Sequence, residues 1–136
     1  MTNNYAIKLL KEKYIKYPNS IAIKKNNIAI TYEKFWSDCN NFAFQITKIK
    51  KKPIVAIIGN HEYFDYVAIF GTLISGGIYV PINNDLPQSK IKKIIKLSKS
   101  NILSINNKIK NIKGLKSIFI ITEKKLKLSK KFNFFR

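Results

Sequence analysis

Apolar positions recur along this chain with two different periods. Residues 54–58 form an unbroken run, Ile54-Val55-Ala56-Ile57-Ile58, that stops at Gly59-Asn60. A run of this length suits a central parallel strand, which is buried on both faces. Residues 62–75 carry few polar positions and read as a helix packed on a sheet. Gly76-Gly77 closes it, since glycine accepts the left-handed conformation at a helix C-terminus. Residues 78–82 are a second strand, and Pro81 near its end argues for a sheet edge or a strand terminus. Residues 83–87 form a turn whose Pro87 suits the first turn of a helix. That helix places Ile91, Ile94, Ile95 and Ser98 on one face and Lys92, Lys93, Lys96 and Lys99 elsewhere. Strand, helix, strand, helix over residues 55–100 predicts parallel pairing in an α/β sheet.

The flanks extend the pattern. Residues 5–17 have Leu9, Leu10 and Tyr14 on one side and Lys8, Lys11 and Glu12 on the other, a helix ended by Pro18-Asn19. Residues 20–24 and 28–30 are short alternating runs around Lys25-Asn26-Asn27, which predicts a small hairpin. Thr31 reads as an N-cap, with Glu33 in the first turn where the helix dipole favours an anion. The helix runs to about residue 48 with Phe35, Cys39, Phe42, Ala43, Ile46 and Ile49 at helical spacing. Residues 101–105 and 117–121 are two more strands, joined by a basic connector containing Gly114. After Ile121 the pattern decays. The chain therefore divides into a folded unit, 1–122, and a basic, aromatic tail, 123–136, ending Phe132-Asn133-Phe134-Phe135-Arg136. Three phenylalanines there suggest docking against something, or an end that selection never shaped.

Composition narrows the classes. At 136 residues the chain is one domain or part of one, and 46% hydrophobic content is enough for a core. No apolar run reaches a bilayer-spanning length, and the N-terminal residues place Lys and Glu where a signal peptide needs an apolar stretch. The expected location is the cytoplasm, with no membrane partner. The net charge of +19 raises the question of nucleic acid. Against it, every basic residue except Arg136 is lysine, whereas base recognition favours arginine, and the lysines are spread along the chain. Lys, Ile and Asn dominate, as an AT-rich coding sequence would produce. Specific nucleic-acid binding is not expected.

A search for chemistry returns little. The lone Cys39 lies on an apolar helix face and reads as a buried structural thiol. No GxxxxGK[ST] or GxGxxG phosphate loop is present. Gly59 precedes a helix and could leave an anion at its N-terminus, but one glycine is equally an ordinary strand-to-helix turn. His61, the only histidine, falls in the same loop, near the carboxyl ends of the strands where crevices form. It reads as a solvated loop residue. Glu62 and Asp65 are better explained as charges favoured at a helix N-terminus than as an acid–base pair. No carboxylate metal site can be assembled from seven scattered acidic residues.

The wording of three segments is more specific than their pattern. Ile30-Thr31-Tyr32-Glu33-Lys34-Phe35, followed by Asn40 and Ala43, resembles the "LTYxEL…N…A" opening motif of the adenylate-forming (AMP-binding) enzyme superfamily. Leu73-Ile74-Ser75-Gly76-Gly77-Ile78-Tyr79-Val80-Pro81-Ile82 is similar to its "LKAGxAYVPID" motif. Pro87, Ile91 and Ser98 with the following apolar strand resemble "P…RI…L…S…LL". Tyr-Val-Pro-Ile followed by a proline and a basic residue looks most like the amino-acid-activating branch. That branch comprises nonribosomal peptide synthetase adenylation domains and D-alanine–carrier protein ligases. Asn83 stands where the branch usually has Asp, and Lys90 where it usually has Arg.

The resemblance covers residues 5–121 and implies the N-terminal portion of such an enzyme: a mostly parallel sheet flanked by helices, with a small N-terminal hairpin. The full family reaction joins a carboxylic acid to ATP with Mg²⁺, releases pyrophosphate, and passes the acyl group to a thiol carrier. The family's phosphate loop, adenine pocket, metal-associated acids, hinge and catalytic lysine lie downstream of the matched motifs. No catalytic, cofactor-binding or metal-ligating residue is therefore assigned here. The chain is expected to be inactive alone, with a second chain carrying the rest of the ligase, or a carrier protein, as partner. A non-catalytic interaction module is the alternative, and a basic nucleic-acid binder ranks third. A sheet cut within a domain is expected to leave an open edge and an uncovered apolar face.

Overall fold

The computed structural model describes residues 4–110 and 112–129. Its first helix, α1 (Tyr5–Lys16), leads into an antiparallel hairpin of β1 (Ile21–Lys25) and β2 (Ile28–Thr31). Asn26 takes φ 54° in the turn, the left-handed conformation expected there. A long helix, α2 (Tyr32–Ile49), starts at Thr31, whose Oγ1 accepts a hydrogen bond from the Lys34 N–H at 3.2 Å. Then follow β3 (Ile54–Gly59), α3 (Tyr63–Ile74), β4 (Ile78–Asn83), α4 (Gln88–Ser98), β5 (Ile102–Ile105), β6 (Phe119–Thr122) and α5 (Glu123–Ser129).

The four strands β3 to β6 make one parallel sheet in the order β4-β3-β5-β6. β3 is central, as its unbroken apolar run predicts, and β4 lies at an edge, as Pro81 predicts. Alternate side chains of the strands feed two cores. Val55, Ile57, Ile102 and Ile121 meet Phe35, Phe42 and Ile46 of α2 and Phe64 and Val67 of α3 on one face. Ala56, Ile58, Leu103 and Ile105 meet Ile91 and Ile95 of α4 and Ile109 and Ile112 of the connector on the other. Phe42 and Phe64 pack edge to face at 5.9 Å, joining the two helices of the first layer.

The chain's own elements cover the centre of both sheet faces, while Ile78 and Tyr79 of β4 and Phe119 of β6 stay exposed, so the expected uncovered apolar surface is confined to the outer strands. The open edge is real: among the described residues β6 pairs only with β5, and Phe119 there is 58% exposed. Two further differences have local causes. Pro87 is the N-cap of α4 rather than its first helical residue, at φ −58° and ψ 147°. Residues 123–129, read as the start of a tail, form α5, where Thr122 Oγ1 accepts from the Lys125 N–H and Leu126 is buried in the first core. The terminal phenylalanines lie outside the described residues.

The amino ends of the strands are fastened by one backbone and one side-chain acceptor. Pro53 O accepts from the Ile78 N–H at 2.9 Å, and Asn101 Oδ1 accepts from the Ile54 N–H at 3.0 Å. Gly76, at φ 80°, ends α3 as expected. Gly77 has a different reason to be glycine: a Cβ there would stand 2.4 Å from Pro53 O. The Gly77→Ala variant is expected to lose about 1–3 kcal/mol, the usual cost of overpacking. A lower urea midpoint at unchanged m-value checks this.

Candidate functional site

The connections leaving β3 and β5 run in opposite directions, one to β4 and the other to β6. Their carboxyl ends therefore flank a topological switch point, the place where open α/β sheets form a ligand crevice. The loop after β3 brings Asn60, His61 and Glu62 to it, and β5 delivers Asn106 and Lys108.

Side chains of the chain itself fill this point. Asp65, one turn into α3, is 5% exposed. Its Oδ2 accepts from the Asn60 N–H at 3.0 Å and the Glu62 N–H at 2.9 Å. The latter is the back-reaching half of a capping box. Its Oδ1 accepts from Asn106 Nδ2 at 2.8 Å, and the same nitrogen donates to Asn60 Oδ1 at 2.8 Å. Two backbone donors after Gly59, the Asn60 and Glu62 amides, are therefore held by Asp65 rather than left for an anion.

A second layer surrounds this knot. Glu62 Oε2 accepts from Lys25 Nζ at 3.1 Å and from Lys108 Nζ at 3.2 Å. Lys25 also donates to His61 O at 2.7 Å, which ties the hairpin to the loop. The hydrogen bond from Lys25, seconded by that from Lys108, holds the Glu62 carboxyl below its ordinary 4.5. His61 is exposed at φ 66° and takes part through its backbone. Beside it lies a shallow groove of about 340 Å³, lined by Ile23, Ile28 and Ile30 of the hairpin and by Tyr63 and Tyr66 of α3.

Beneath the groove, Tyr63 donates its hydroxyl to Asp38 Oδ2 at 2.7 Å, and Lys34 Nζ reaches the same oxygen at 2.8 Å. Burial pushes the Tyr63 hydroxyl far above its usual range, and the adjacent Asp38 charge pushes it further. It therefore remains a donor joining α3 to α2, not a base.

Of the residues weighed from sequence, Glu62, Asp65 and His61 meet at one end of the sheet, while Cys39 is fully buried in the first core. Sequence reasoning missed Lys25, Asn60, Asn106 and Lys108. The one signal for Asn106 was its place just beyond an apolar strand. Among the described residues, no group of three or more His, Cys, Asp or Glu side chains converges to hold a metal ion. No helix among them is long and apolar enough to cross a membrane.

Comparison with known proteins gives this frame its kinship. The family model described as AMP-binding enzyme matches residues 10–132. Gramicidin S synthase 1 of Brevibacillus brevis is 31% identical over 97 residues, covering 70% of this chain and 9% of that protein. D-alanine--D-alanyl carrier protein ligase of Staphylococcus aureus (strain JH9) is 28% identical over 78 residues, covering 57% of this chain and 16% of the ligase. Among solved structures, the nonribosomal peptide synthetase FmoA3 with AMPPNP bound superposes with a TM-score of 0.83 at 14% identity, over 88% of this chain and 13% of that one. The N-terminal subdomain of Klebsiella oxytoca NpsA superposes at 0.75 and 20% identity, over 88% of this chain and 32% of that one. The chain thus spans a small fraction of the length of each.

Two outcomes follow from the knot and its clamp. Asn106→Ala leaves Asp65 Oδ1 without its donor in a buried site, and the expected loss is about 1–3 kcal/mol, read from urea denaturation. Because the Glu62 carboxyl is depressed, its contribution to stability is fully present above 4.5 and fades as pH falls through the lower folded value. In Lys25→Met its NMR titration is expected to move back up toward 4.5.

Proposed function

The chain belongs to the AMP-binding enzyme family, of which it represents an N-terminal portion, and we propose that it serves an amino-acid-activating ligase without being able to run the reaction by itself. The reaction proposed for the whole assembly joins an amino acid to ATP as an aminoacyl adenylate, releases pyrophosphate, and transfers the acyl group to a thiol carrier. The likeness to a peptide synthase and to a D-alanine ligase supports the amino-acid branch. So does the run Tyr79-Val80-Pro81-Ile82 with Pro87 and Lys90 after it.

One observation carries the reading that this polypeptide is inactive alone. At the switch point, where a phosphate would ordinarily be held, the Asp65 carboxylate already accepts from the loop amide of Asn60 and the N-cap amide of Glu62. The described residues do not fit ATP or Mg²⁺ there: the nearest acids, Glu62 and Asp65, are committed to two lysines, two backbone amides and Asn106. Adenylyl transfer depends on placed donors and cations around the phosphates. No step of it is assigned to a residue of this chain. What the chain supplies is the first layer of a scaffold, and the catalytic groups come from the rest of the ligase, in line or as a second chain.

The test is ATP–pyrophosphate exchange with the purified chain and each of the twenty amino acids in turn. No exchange above background is expected. Exchange with any one of them overturns the proposal.

A further inference from the structure

The lysines are spread along the sequence, and the scattered acids leave one long gap. Between Asp85 and Glu123 there are nine lysines and no acidic residue. That interval contains α4 and the connector after β5, the two elements that cover the second face of the sheet. Glu12, Glu33, Asp38, Glu62 and Asp65 belong to α1, α2 and the start of α3, in or before the opposite layer. Folding therefore gathers these lysines on one face, where acids enter only at its margins: Asp85 before α4, Glu62 at Lys108, and Glu123 against the Asn107 amide. Lys90, Lys93, Lys96 and Lys99 are exposed on or beside α4, and Lys110, Lys113 and Lys116 are exposed on the connector, whose first lysine, Lys108, is paired with Glu62. The two sets adjoin: a Cβ built on Gly114 of the connector would stand 3.2 Å from Lys92 Nζ of α4.

Within this face Leu97 is 72% exposed. It lies one turn after Lys93 on the same side of the helix. A lone exposed leucine is ordinary. One set among lysines that outnumber the acids near them combines an apolar contact with long-range attraction, the combination that protein partners use for docking and for rate of encounter.

We propose that α4 and the connector form a docking surface for an acidic protein surface, with Leu97 as its apolar contact. Charge complementarity supplies the occupant, and two features select protein over other polyanions. Residues 88–118 contain no arginine and no aromatic residue. Bases therefore find neither a guanidinium fork nor a stacking plane there. An interfacial membrane helix needs a free apolar face, whereas Ile91 and Ile95 of α4 are committed to the core.

The experiment titrates the intact chain with a synthetic amphipathic peptide of glutamate and leucine, at low salt and at about 0.15 M, where screening sets in within roughly 8 Å. Poly(U) and phosphatidylserine vesicles are run alongside. The expected result is saturable peptide binding, with amide shifts centred on α4 and the connector. The Lys93→Glu/Lys96→Glu variant should bind about tenfold or more weakly, and Leu97→Ala should also weaken binding. The Lys8→Glu/Lys11→Glu variant, with the same change of net charge on α1, should stay within about twofold of the parent, as expected if location rather than total charge decides. Equal loss from both charge reversals, a footprint elsewhere, no saturable binding, or tighter binding of poly(U) or vesicles through the same lysines overturns the proposal. The footprint on the unaltered chain decides the question even if a variant misfolds.

Discussion

A carboxylate removed from water must have its oxygens met by donors, or its burial costs several kcal/mol. Asp65 obeys this demand at the crossing point of the whole sheet. Its two oxygens draw in the loop after β3, the first turn of α3 and the residue that follows β5. Two partners lie in the β3–α3 connection and the third follows β5. Satisfying one side chain therefore fixes where α3 begins, how the loop turns and how far β5 extends beside β3. The hairpin is then added from outside, through Lys25 and the already positioned Glu62. The same arrangement that stabilises the crevice also fills it with the chain's own side chains.

Charge is arranged on a larger scale by the same folding. The first layer mixes acids with lysines and spends them in local pairs, such as Lys34 with Asp38. The second layer has no such partners within its own elements. Net charge alone says little about function in a lysine-rich chain, because composition can produce it without selection. The division of charge between two layers is a property of the fold, and it separates a general excess from a directed surface.

Most of the architecture was legible in the sequence because its signals are local. The apolar run at 54–58, the Thr31 cap, the Gly76-Gly77 stop and Pro81 each report on neighbours a few residues away. The knot was not legible in full. Glu62 and Asp65 could be recognised as charges at a helix start, but their partners Lys25, Asn106 and Lys108 lie 37, 41 and 46 residues distant. No periodicity encodes such pairings. The helix at 123–129 escaped because seven residues give too few turns for a pattern, and its burial comes from packing. Gly77 was read as a helix terminator, while its main constraint is the carbonyl of Pro53 across a strand. The resemblance to adenylate-forming enzymes rested on motif wording in capping and turn segments, which is why it identified the scaffold and no catalytic group.

The closure of Asp65 by Asn106 also has a meaning in time. A chain emerging from the ribosome presents β3, α3 and β4 well before residue 106. Until that residue is free, one oxygen of a carboxylate destined for burial still lacks its side-chain donor. The β3–α3–β4 unit by itself therefore lacks one of the donors that its buried carboxylate uses in the fold. The contact thus makes the complete packing around Asp65 depend on a residue 41 positions further along the chain.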